Sequence, residues 1–383
     1  MRRAIRSLSL FALSVAFCVQ AVFSSSALAG EQPATQQLQK LVDGARKEGQ
    51  LNVSLVSSLT EAGARELNDA FNRRFNLKLK FNTTLGETTR QFPQVMEELK
   101  MGLPPSFDSM YVSETYIVHL IKAGGVERID NWSALLKEIS PEAYRVANQL
   151  SPLDLKGYAF AWGTRAKVIN YNTDLISERE LPPTHVEMGH SKYAGTYFMP
   201  PFITEAEYGV LVYPKDRWLE IVRSWGNSKP PILNYEAGLQ RMFLGEFKFA
   251  PSNDYYMFKH KGRDPKTPVG LAFFKDFTPL TYAWHVARKG AKNPNAAKLF
   301  ALWATSPEAN RIFENLDYSA TGNLLLNTGP MSRQIKDALD KRNIKLISWW
   351  DNEKNADVLE WYASEEGRTY KKELSAAQTG RRR

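Results

Sequence analysis

The chain of 383 residues contains a single cysteine, Cys18, and it falls within the first thirty positions. The remainder can therefore build no disulfide framework, thiolate metal site or cysteine nucleophile. Histidine is also scarce, at five residues. His185 and His190 come close together in "HVEMGH", but the spacing is not H-E-x-x-H, so on a helix the two rings would not share the face a catalytic zinc requires. The neighbouring Pro182 and Pro183 predict a plain loop there. His285 lies in an alternating apolar stretch and His119 in a helical one, which predicts core positions rather than general bases. There is no G-x-S-x-G nucleophile elbow and no G-x-x-x-x-G-K-[ST] phosphate loop. These absences leave catalysis without a candidate constellation, and the chain is read as a non-enzyme.

Only one apolar run approaches membrane length. "LSLFALSVAFCVQAVF" follows Arg2, Arg3 and Arg6 and leads to the small-residue triplet ending at Ala29. Gln20 and the serines at 24–26 interrupt it short of the ~20 apolar residues a span needs. The pattern predicts a cleavable secretory signal over residues 1–29 rather than an anchor. Phe17 stands where a lipid-attachment site would need a small residue before Cys18. A periplasmic location is expected.

The formal net charge is +9, spread along the chain apart from the terminal Arg381–Arg383. Such a dispersed excess predicts a solvated surface and no nucleic-acid groove. With 43% hydrophobic and 12% aromatic residues, roughly 350 residues after the signal suffice for two α/β domains in a monomer.

Periodicity then sets the order of elements. "QLQKLVDGARKEG" is helical and closes on Gly49, and "QLNVSLVSSL" alternates as a strand. "TEAGARELNDAFNRRF" opens with Thr60 as an N-cap. A second strand and loop in "LKLKFNTTLGETTR" precede the helical "FPQVMEELKMG", and "SFDSMYVSETYIVHLIKAGG" repeats the unit. Alternating strands and helices imply parallel βα units and an open sheet. Ligands of open sheets collect beyond the carboxyl ends of the strands. Here those ends read "SSLT", "TTLGETTR" and "VSET", three polar termini on one edge, with Ser57, Ser58, Glu87, Thr88 and Thr89 among them.

Later stretches carry a resemblance. "AWGTRAKVINYNT", "KYAGTYFMPPF", "GEFKFAPSNDYY" and "ARKGAKNPNAAKLFALWATSPEANRIF", in this order, resemble the class II periplasmic solute-binding proteins of bacterial ABC importers, in particular the ferric-iron-binding branch. The resemblance implies an α/β, two-domain periplasmic-binding-protein fold of type II, with hinge strands and an interdomain ligand cleft. It also implies delivery of cargo to ABC permease membrane subunits driven by a separate ATPase. On this reading residues 36–165 with 272–340 form one lobe and 166–271 with 341–383 the other. Hinges are expected near Arg165 and near Phe274 to Asp276.

In the iron-binding branch a Gly-Glu turn is followed by an Asn and then by adjacent tyrosines whose phenolates hold ferric iron. Gly245, Glu246, Asn253, Tyr255 and Tyr256 fall at those intervals. A hard, highly charged ion suits oxygen ligands and can displace a phenol proton. Iron binders typically carry a tyrosine on the first strand, whereas "LVSSLT" has Val56; Glu87 is then the remaining carboxylate. The resemblance also places Arg165 where an anion is bound, as a guanidinium fork allows. Two cargoes stay open: ferric iron with a synergistic anion or a ferric complex, on Tyr255, Tyr256 and Glu87, or a small organic solute, anionic by preference, of the phosphonate, sugar phosphate, thiamine or polyamine type. No resident cofactor is expected. A reading of another class makes the aromatic tail, with Trp349, Trp350, Trp361 and Tyr362, an adhesive surface of an exported scaffold.

Overall fold

The computed structural model describes residues 32–147, 155–203 and 206–380. The predicted signal at 1–29 lies outside them.

Among the described residues eight strands form the frame: β1 (Gln50–Val56), β2 (Lys80–Gly86), β3 (Ser109–Ser113), β4 (Ala161–Asn172), β5 (Phe249–Asn253), β6 (Val269–Ala272), β7 (Thr278–Ala287) and β8 (Leu346–Ile347). They join in the order β2-β1-β3-β7-β4-β5, with β6 beside β4 and β8 beside β7. The first three strands are parallel, as their intervening helices require. β7 then runs antiparallel to both β3 and β4.

β4 is the long member, and it changes partners along its length. Ala161 to Ala166 pair with β7, whereas Lys167 to Tyr171 pair with β5 and Ile169 to Asn172 with β6. The exchange falls between Ala166 and Lys167. β7 makes a similar transition, pairing with β8 at Thr278 and Pro279 and with β3 from Ala283 onward. Two strands are thus common to two groups of elements, and the polar ends of β1, β2 and β3 meet the end of β5 across them.

Local sequence explains the helices that frame this edge. Thr60 accepts from the Gly63 N–H and caps Glu61–Phe75, which follows β1 after a short turn. Gly49, at φ +68°, supplies the left-handed turn between the first helix, Gln32–Glu48, and β1. The loop expected through Arg90 is shorter than anticipated: the helix Thr88–Lys100 already starts at Thr88, leaving Gly86 and Glu87 as the link from β2. Ser113 passes directly into the helix Glu114–Lys122.

One core cluster lies behind β1, where Phe71 packs edge-on against Trp303 at 5.3 Å and tilted against Phe300 at 5.4 Å. His285 is buried in the same region beside Trp162, Phe300 and Phe313, and burial lowers its pKa to about 3. A second cluster gathers Tyr197, Trp218, Trp225, Phe249 and Phe277, and extends to Met110 and Val112 of β3. Trp349, Trp350 and Tyr362 are buried in this second cluster, so the tail is packing material and not an adhesive face.

The "HVEMGH" segment also differs from expectation. Thr184 caps a short helix, His185–Met188, instead of continuing a loop. His185 is buried, with Nδ1 2.9 Å from an Asp276 carboxylate oxygen and its ring stacked on Phe277. His190 is exposed and accepts from the Lys192 N–H, so the two imidazoles serve separate local roles.

Candidate functional site

The polar strand ends open onto a cavity of about 220 Å³, small against the roughly 300–1,000 Å³ of drug-sized sites. Ser57, Ser58, Glu87, Thr88, Arg165, Asn253, Tyr255 and Tyr256 all line it. Residues separated by up to two hundred positions are thus gathered at one place.

The tyrosine pair owes its position to a change of element. β5 ends at Asn253, and Tyr255 and Tyr256 open the helix Tyr255–Arg263. Strand alternation therefore does not decide which phenol faces the cleft, because neither is on a strand. Asp254 pins this junction to β4. Its carboxylate accepts from the Ala166 N–H at 3.0 Å, and its own N–H donates to the Ala166 carbonyl at 3.0 Å. Burial raises the Asp254 pKa to about 6, although the Ala166 bond and the nearby Arg165 charge oppose that rise.

Tyr255 and Tyr256 are almost fully buried, with ring centroids 4.3 Å apart. Tyr235 adds a third ring, 5.5 Å from Tyr256. Burial pushes both phenols of the doublet above their ordinary pKa, and Tyr256 is raised further by Tyr255 beside it. Behind Tyr256, the Glu236 carboxyl resists burial's upward push because His260 and Lys259 hold it down to about 2.

Two cations enter from β4. Arg165 and Lys167 alternate along the strand and so project to the same side. Arg165 lies over the Tyr255 ring, 5.7 Å from its centroid, and its Nε is buried without a hydrogen-bond partner. Lys167 donates to the Asn253 side-chain oxygen at 2.8 Å and lies 5.8 Å from the centre of Tyr235. Lys167 was not singled out from sequence, although its i+2 relation to Arg165 is the signal that would have found it. Ser113, from the polar strand end "VSET", also lines the cavity, as do Tyr111, Tyr235 and Phe202, which the sequence did not single out.

The opposite wall is more open. Ser57 donates to Glu87 Oε1 at 3.2 Å, and both residues are exposed. Ser58 is 3.1 Å from the Ser319 hydroxyl. Thr88 lines the cavity, but its hydroxyl already donates to the Tyr111 carbonyl and accepts from the Ser113 N–H. Glu246, part of the Gly-Glu turn, pairs with Arg241 on the exposed surface and does not line the cavity. Among the described residues no group of three or more His, Cys, Asp or Glu side chains could hold a metal ion. Any metal here would depend on the phenols.

Two α/β lobes joined by crossing strands around a polar cleft define a periplasmic-binding-protein fold, and solved structures bear this out. The iron-bound HitA of Pseudomonas aeruginosa aligns at TM-score 0.58 and 18% identity, covering 71% of this chain and 85% of that one. The Trichodesmium IdiA (FutA) in complex with iron and citrate aligns at TM-score 0.56 and 20% identity, covering 78% and 100%. The substrate-binding protein of an ABC transporter from Agrobacterium tumefaciens aligns at TM-score 0.62 and 18% identity, covering 87% and 97%. At these identities the likeness is one of fold. No curated protein matches the sequence.

The sequence model of the bacterial extracellular solute-binding proteins matches residues 66–323, and the chain belongs to that family. Binding a solute outside the cytoplasm is the role of that family. No described helix is long and apolar enough to cross a membrane.

Proposed function

We propose that the cleft captures a small organic anion, a carboxylate or phosphonate, and that the protein hands it to its permease. The observation that carries this reading is the unpartnered Nε of Arg165, set in the cavity wall beside Lys167. Two cations and a ring of phenol donors make a ready anion receptor. With both phenols held above their ordinary pKa, they act as neutral O–H donors at pH 7 rather than as phenolates. A bare trivalent cation would have to strip two protons from these phenols while lying close to two positive side chains.

A second reading has its own observation. Tyr255 and Tyr256 lie side by side, and Glu87 is exposed on the facing wall of the same cavity. Ferric iron accompanied by an anion on Arg165 would use all of them, with the anion neutralising the guanidinium. Closure in either case draws on contacts to both walls. We take the lobes as 36–165 with 272–340 and 166–271 with 341–383, the second carrying the tyrosines. The predicted segment 1–29 would direct export of the chain.

Native mass spectrometry of freshly purified protein tests the reading directly, since an anionic solute should co-purify and be displaced on mild acid treatment. Titration with ferric iron and carbonate distinguishes the two cargoes. A visible phenolate-to-iron band that Tyr256→Phe weakens would establish the ferric complex, and its absence at saturating iron would rule that cargo out.

A further inference from the structure

A second, more enclosed cavity of about 110 Å³ abuts the cleft. The two share Tyr111, Ser113, Arg165 and Lys167, so the cationic pair stands in their common wall. Beyond that wall the chemistry reverses. The inner chamber is completed by Glu114, Glu207, Thr281, Tyr282 and Ala283. Nothing in the anion-binding reading uses it.

Glu114 is the key group. It opens the helix that follows β3 and is buried at 4% exposure. Its Oε2 accepts from the Tyr282 N–H at 3.0 Å and from Trp350 Nε1 at 3.2 Å, and Oε1 takes neither bond. Burial raises its pKa well above the ordinary carboxyl range against these two bonds; Glu207 raises it further and Lys167 opposes. Glu207 in turn faces Tyr116, Tyr362 and Lys371. Lys371 thus offers Glu207 a compensating charge, while burial favours the protonated form of Glu114.

The two chambers together present two cations and three carboxyl groups, with the cations in the shared wall, the exposed Glu87 on the outer side and the buried Glu114 and Glu207 on the inner side. We propose that the inner chamber is an ammonium subsite, so that the transported solute is a short zwitterion with its anionic head at Arg165 and Lys167 and its amine toward Glu114. This rests on the anion-binding reading above and extends it. An arriving ammonium stabilises the Glu114 carboxylate, the acid gives up its proton to solvent, and the filled cavities balance in charge. Tyr111 and Tyr282 also line the inner chamber.

The test is calorimetry on the full signal-free chain, stripped of bound solute. The probes are short linear ω-aminocarboxylates and aminophosphonates, each paired with the compound of equal length lacking the amine. The amine should improve affinity at least about tenfold in one pair. Its binding should release protons, read as a dependence of the apparent enthalpy on the ionisation enthalpy of the buffer. Glu114→Gln keeps an acceptor for Tyr282 and Trp350, and should abolish the proton release and most of the amine's advantage. Equal affinity with and without the amine would overturn the subsite while leaving the anion reading intact. If no probe of either kind binds, both fall. A tenfold advantage that survives unchanged in a folded Glu114→Gln variant would also overturn the assignment, by placing the ammonium elsewhere.

Discussion

The two walls of the cleft are built on different principles. On one side, Ser57 and Glu87 stand exposed at strand ends and bond to each other, and Thr88 turns its hydroxyl toward β3. On the other, Arg165, Lys167 and three tyrosines are packed at the junction where β4 exchanges β7 for β5. The first wall offers solvated groups that already have partners. The second offers buried charge and ring area with at least one donor unused, and electrostatic contacts gain strength away from water. Affinity should therefore reside on the tyrosine wall, and the strand-end wall should mainly complete closure.

Arg165→Ala is the sharpest way to break this asymmetry. Removing a buried charge at a binding site costs about 2–5 kcal/mol, so affinity for an anionic solute should fall by roughly thirtyfold or more. Arg165→Lys should recover part of the loss, because charge is kept and the planar fork is not. Calorimetry on variants with unchanged circular dichroism decides the matter, and a loss under threefold would contradict the comparison.

Asp254 probes how the tyrosine wall is held. Its folded-state pKa of about 6 lies above the ordinary 3.8. A raised acid contributes stability that is complete below the unfolded pKa and is lost as pH rises through the folded one. Between pH 4 and 6 the wild type should therefore lose up to about 3 kcal/mol relative to Asp254→Asn, which keeps an acceptor for the Ala166 N–H. Urea denaturation across that range provides the check; parallel pH profiles would refute it.

Smaller effects belong to single hydroxyl groups. Tyr256→Phe removes one neutral donor and should weaken an anion by about 1 kcal/mol, against near-complete loss of colour if ferric iron is the cargo. Thr88→Val deletes the bridge to β3 and should cost about 1 kcal/mol of stability with little change in affinity. Ser57→Ala should move stability by less than about 0.5 kcal/mol, since its bond to Glu87 is exposed. If Ser57→Ala impaired binding more than Tyr256→Phe, the ranking of the walls would be inverted.

Much of this arrangement was legible along the chain. The alternating stretch at β1, the strand at β3, the Thr60 cap and the Gly49 turn are local signals, and each element forms where the sequence places it. The cavity-lining positions from Ser57 to Tyr256 were legible partly as strand ends of an open sheet and partly through family resemblance. Glu114 escaped notice because an acid at the start of a helix ordinarily reads as a dipole partner facing water. Here its burial depends on Trp350, 236 positions away.

By itself the amino-acid order determined where strands and helices form, because periodicity, caps and turn residues act over a few positions. It also settled what the chain lacks, from any cysteine beyond Cys18 to a phosphate loop. Only the tertiary structure decided that Lys167 joins Arg165 in the cleft wall, that Thr88 bonds inward, and that two carboxyl groups lie behind the cations. Those outcomes depend on which distant backbones are brought together and how much water they exclude, and burial and charge at a point in space are not properties of any short stretch of sequence.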